Sequence, residues 1–127
     1  MAETGRLVLS PLSHTWILDL DGTILKHNGY LTDGKDFFLA GAKEFLDSIP
    51  EEDLIIFLTS RKKEEKKRTE EFLLGHGIHY GYIIYEAPYG ERILVNDRKP
   101  SGLNTAVAVN MERDDAVRLK IVIDKAL

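Results

Sequence analysis

Three short apolar runs, each breaking off into polar residues, set the strongest constraint on what this chain can fold into. Residues 15–20 (TWILDL) lead into Asp21-Gly22, residues 54–58 (LIIFL) into Thr59-Ser60-Arg61, and residues 93–95 (ILV) into Asn96-Asp97-Arg98. Short apolar runs rich in β-branched and aromatic residues, bounded by turn formers, read as buried strands. A continuous run such as LIIFL is the mark of a central parallel strand. Between them, residues 36–48 place Phe37, Phe38, Ala42, Phe45 and Leu46 at helical spacing and stop before Pro50. Residues 63–74 predict a charged helix with Phe72, Leu73 and Leu74 inward, ended by Gly75 and Gly77. Residues 82–85 predict another short strand, 107–109 an edge strand and 114–126 a last helix. This alternation predicts a parallel sheet covered on both faces. In such sheets ligands bind beyond the carboxyl ends of the strands, where the three polar ends converge.

Composition narrows the function classes. The 127 residues make one domain, expected to span 1–127, and 43% hydrophobic with 30% charged residues excludes a disordered chain. There is no cysteine, which excludes a disulfide framework, a Cys-ligated zinc and a thiol nucleophile. With 17 basic and 21 acidic residues the net charge is −4, which argues against a dedicated nucleic-acid binder. No apolar run is long enough to cross a membrane, and the N-terminus lacks the basic lead and apolar core of a signal peptide. A cytoplasmic protein without membrane attachment is the expectation. Neither a P-loop nor a dinucleotide-binding glycine pattern is present.

Asp19 and Asp21 lie two apart at the end of a strand, so both point to one side of it. Two neighbouring carboxylates in a dry crevice repel and need a cation or a shared proton. Asp97 can add a third oxygen, and an all-oxygen set suits Mg²⁺. The alternative is a plain Asp21-Gly22 turn with Asp19 as a cap. Against it, an unpaired carboxylate inside an apolar run is costly.

Asp19-Leu20-Asp21-Gly22-Thr23-Ile24 resembles the first motif of the haloacid dehalogenase (HAD) superfamily, DxDGT[IV] after a hydrophobic strand. Residues 54–59 resemble its second motif and residues 93–97 its fourth, acidic one, in the same order. The resemblance implies a doubly wound, Rossmann-like α/β three-layer sandwich with a mostly parallel central sheet. It also implies a Mg²⁺-dependent phosphomonoester phosphatase. Asp19 would be the nucleophile, forming an aspartyl-phosphate, and Asp21 the general acid/base. Asp19, the Asp21 carbonyl and Asp97 would hold Mg²⁺. The Thr59 hydroxyl and the backbone N–H groups of Leu20 and Ser60 would hold phosphoryl oxygens, with Arg61 beside them as a substrate contact.

The chain departs from the family at the third motif, a Lys or Arg before the acidic strand, where Glu86-Ala87-Pro88 stands instead. Arg61, Arg68, Arg98 and Lys99 are the candidate replacements. Lys99 is preferred, two residues after Asp97 and stiffened by Pro100, although Arg61 and Arg98 could equally pair with carboxylates. Asn96 lowers the site's charge by one. His27, Asn28, Tyr30 and Asp36 follow the first motif and are candidate substrate contacts. The run 61–68, with six cations, reads as a solvated helix face, and His76 with His79 as a surface turn. Neither interval between motifs holds a cap domain. An open site taking a small phosphorylated metabolite, such as a sugar phosphate, is expected, with a second copy as a candidate cover. A macromolecular phosphate substrate and a catalytically silent binding module are the alternatives. A receiver domain is disfavoured, because Asp53 precedes the mid-chain strand and Thr59 ends it.

Overall fold

The computed structural model describes residues 6–127. The first five residues, on which part of the leader reading rested, lie outside the described residues. In chain order the elements are strands β1 (Arg6–Leu9) and β2 (Thr15–Asp19), helices α1 (Gly29–Thr32) and α2 (Ala42–Asp47), strand β3 (Leu54–Leu58), helix α3 (Lys66–Gly75), and strands β4 (Tyr82–Ile84) and β5 (Lys120–Ile123). A 3₁₀ turn, Lys63–Glu65, leads into α3. The result is a mixed α/β architecture in which every strand pairing is parallel. One sheet has the order β2-β3-β4 and a second pairs β1 with β5.

Strand β3 matches its sequence expectation, and β2 and β4 each stop one residue short. Their side chains alternate, as the period of two requires. Trp16, Ile55 and Phe57 point into the core, with Trp16 edge-on to Phe45 at 5.7 Å between ring centroids. The opposite face carries Ile17, Leu54, Tyr82 and Ile84, all exposed. Both faces were expected to be covered; among the described residues one is. Asp53 joins the starts of β2 and β3. Its carboxylate accepts the His14 N–H and the Trp16 indole N–H, each at 3.0 Å.

Three expected elements differ. The helix expected over residues 36–48 forms only over Ala42–Asp47. Phe38 bridges to Leu25 instead, and Gly41, at φ 79°, turns the chain before the helix starts. Residues 93–95 form no strand: Ile93 and Val95 are 84% and 88% exposed, with no neighbouring strand to pair. Residues 107–109 are likewise irregular. The expected last helix is replaced by β5, whose Ile121-Val122-Ile123 run favours extended backbone and pairs with Leu7-Val8-Leu9. No helix of the described residues is long and apolar enough to cross a membrane.

Candidate functional site

The carboxyl ends of β2 and β3 meet because Leu20 N–H donates to Leu58 C=O at 3.0 Å, extending the ladder past Asp19. The chain then turns tightly. Gly22 takes φ 88°, and the N–H groups of Ile24 and Leu25 return to Leu20 C=O. This turn leaves Asp19 and Asp21 in one cleft of about 300 Å³, together with Ser60, Arg61, His27 and Tyr30. Tyr89, Arg92 and Arg113 also line it.

Each carboxylate is met by a guanidinium. Arg61, 3% exposed, grips Asp21 with Nη2 at 2.8 Å and Nε at 3.1 Å. Its other edge forms a fork on buried Asp36, at 2.7 and 3.0 Å, and donates to Thr69 Oγ1 at 2.8 Å. The Tyr30 ring covers it, 4.1 Å from ring centroid to Cζ. Burial opposes the Arg61 charge, yet the hydrogen bonds to Asp36 and Asp21 outweigh it and hold the guanidinium above its ordinary range. Tyr30 is pushed up by burial, which the positive Arg61 only partly offsets. Asp19, on the open face, accepts from Arg92 Nη1 and from the Thr23 hydroxyl, both at 3.0 Å. No buried side-chain polar atom of the described residues lacks a partner.

Several expected roles change. The Thr59 hydroxyl is fully buried and donates to Asp21 Oδ2 at 2.9 Å, so it orients that carboxylate and does not face the cleft. The Leu20 N–H is consumed by the ladder and is not available to a phosphoryl oxygen. Ser60 does line the cleft. Its hydroxyl donates to Ala87 C=O at 2.8 Å, while its N–H has no partner among the described residues. Asp97 sits in a separate small cleft with Asn96, Arg98 and Thr105, its C=O accepting the Thr105 hydroxyl, and does not join Asp19 and Asp21. Lys99 is exposed and lines neither cleft. Arg98 donates to Asn104, and Arg68 braces the 30–34 loop by donating to Gly34 C=O at 3.1 Å.

The cation beside Asp19 is therefore Arg92, which the sequence reading missed. It stands directly before the 93–95 run. Arg113, also missed, lay just ahead of a segment assigned to a helix.

Among the described residues, no three His, Cys, Asp or Glu side chains stand close enough to form a metal cage. Of the two cleft carboxylates Asp21 is taken up by Arg61 and Thr59, which leaves the Asp19 carboxylate and the Asp21 backbone carbonyl, which accepts no hydrogen bond, as the oxygens for a cation. That hard-oxygen pair fits Mg²⁺ only in the form in which the ion keeps its waters and takes substrate phosphate oxygens as ligands. Comparison with known protein families, with curated proteins and with solved structures returns no match.

Proposed function

We propose that the chain is a phosphomonoester phosphatase that works through an aspartyl-phosphate on Asp19. On this reading it is a capless, doubly wound HAD-like hydrolase acting on a small phosphorylated metabolite. One observation carries it: Asp19 and Asp21 share a cleft at the carboxyl end of β2, and each meets a guanidinium. An Asp19 oxygen attacks phosphorus and the ester P–O bond breaks. The departing alkoxide takes a proton from Asp21. Asp21 then takes a proton from water, whose oxygen attacks phosphorus, breaks the bond to Asp19 and releases phosphate.

Arg61 and Thr59 orient Asp21 as the carboxylate, the form that takes the proton from water; to act first as the acid, Asp21 enters protonated and gives up one of the hydrogen bonds its oxygens accept. Arg92 is positioned to shift from the Asp19 carboxylate to the phosphoryl oxygens, a partner that guanidinium groups bind strongly. Ser60 N–H is a further donor for those oxygens. When bound at Asp19 and the Asp21 carbonyl, Mg²⁺ would neutralise charge between nucleophile and substrate.

The silent binding module is the second reading, favoured by the same two ion pairs, which leave both carboxylates occupied. Hydrolysis of p-nitrophenyl phosphate with Mg²⁺, lost in Asp19→Asn, supports the phosphatase. A folded protein that turns over nothing in a broad phosphate panel refutes it.

A further inference from the structure

Three arginines line the cleft, and two are engaged with carboxylates. Arg61 is shared by Asp21 and Asp36, and Arg92 is paired with Asp19 at 3.0 Å. Arg113 has no hydrogen-bond or ion-pair partner among the described residues.

Arg113 is nevertheless held in place. The following residue, Asp114, sits at φ 59°, a left-handed conformation that surrounding contacts must enforce. Its N–H donates to Gly22 C=O at 2.8 Å, and its Oδ1 accepts the His27 N–H at 2.7 Å. A few residues on, Val117 N–H donates to Ala40 C=O at 2.8 Å. The segment is thus tied down on both sides of the first-motif loop. Arg113 Cγ lies 3.2 Å from where a Cβ on Gly22 would stand, so the glycine lets the arginine stem cross the turn. One strained residue and three long-range hydrogen bonds place an unpaired cation in the cleft that holds Asp19.

We infer that Arg113 selects substrates carrying a second anionic group, a carboxylate or a further phosphate, on the part of the molecule that leaves. The inference rests on the phosphatase reading with Asp19 as nucleophile. There Arg92 answers the phosphoryl group undergoing transfer, and Arg113 is the cation left over. A guanidinium fork suits a planar carboxylate or a phosphate. At an open, solvated cleft its effect is discrimination between substrates more than raw affinity.

The test compares 3-phosphoglycerate with glycerol 3-phosphate, which differ by one carboxylate, on the wild type and Arg113→Gln. The wild type should favour 3-phosphoglycerate in kcat/KM by about tenfold, the scale of a charge-assisted hydrogen bond. Arg113→Gln should lower kcat/KM for 3-phosphoglycerate, through KM, about tenfold more than for glycerol 3-phosphate and melt like the wild type, while Arg113→Lys restores part of the preference. No preference in the wild type overturns the inference. An equal fall on both substrates also overturns it, since Arg113 would then address the transferring phosphoryl group. If neither compound turns over, equilibrium binding of both by calorimetry decides. Tighter binding of 3-phosphoglycerate that is lost in Arg113→Gln supports the anion site, and the phosphatase reading is decided separately by the broad phosphate panel; equal binding overturns the inference.

Discussion

Replacing Arg61 with methionine removes the cation between two carboxylates and leaves Asp36, whose side chain is 3% exposed, as a buried charge without a counter-ion. Asp21, 15% exposed at the cleft floor, keeps Thr59 and some water. Breaking a buried pair from one side costs about 3–5 kcal/mol, most of it the stranded charge. For a chain of this length that is a fall of about 10–20 °C in Tm. The companion variant Arg61→Met/Asp36→Leu removes the stranded charge with the cation. Replacing a buried pair by apolar groups of similar volume is often close to neutral, so the double variant should recover most of the loss. Urea unfolding followed by circular dichroism reads the wild type, Arg61→Met, Asp36→Leu and the double variant on one scale. If Arg61→Met costs less than about 1 kcal/mol, the range of an exposed pair, the buried clamp is refuted. If the double variant costs the sum of the two singles, Arg61 and Asp36 are uncoupled and the reasoning fails.

Three further outcomes are expected. Arg92→Gln should lower kcat/KM by about 10²-fold, as loss of one donor to a developing anion does, with little change in Tm because its pair with Asp19 is solvated, both side chains being more than a third exposed; steady-state kinetics checks it. Gly41→Ala should destabilise by more than about 1 kcal/mol, because φ is 79° and the new Cβ would stand 2.5 Å from Val117 C=O, backbone that cannot swing aside; thermal unfolding reads this. Burial and a hydrogen bond to Glu70 push the Tyr85 phenol well above its ordinary range. The folded state therefore keeps that proton after the unfolded chain has lost it. The stability it contributes is complete below the ordinary tyrosine pKa and is lost as pH rises toward the folded value. An alkaline absorbance titration should show a late-ionising phenol that is absent in Tyr85→Phe.

The central strands and the Asp19–Asp21 pair were legible in the sequence because they are local. A five-residue apolar run such as LIIFL is too short for most helices and favours a strand, and two carboxylates at i and i+2 of a strand share a side. The partners of those carboxylates were not legible, because Arg61 meets Asp21 across 40 positions and Arg92 meets Asp19 across 73. Charge alone does not say which cation answers which acid. The 93–95 run misled because apolar composition makes a strand only where a neighbour offers a ladder, and none does there. At the C-terminal end, helical spacing in residues 114–126 competed with a β-branched triplet, and pairing with β1 decided for the strand.

The central claim is a covalent phosphoryl group on Asp19. A single turnover quenched in acid, reduced with borohydride and mapped by peptide mass spectrometry tests it directly, because the hydride converts an acyl phosphate to an alcohol and leaves free carboxylates alone. Reduction confined to residue 19 in the wild type, and absent from Asp19→Asn, is the predicted result. Substrate turnover with residue 19 unreduced, or with the mark on another carboxylate, would contradict it.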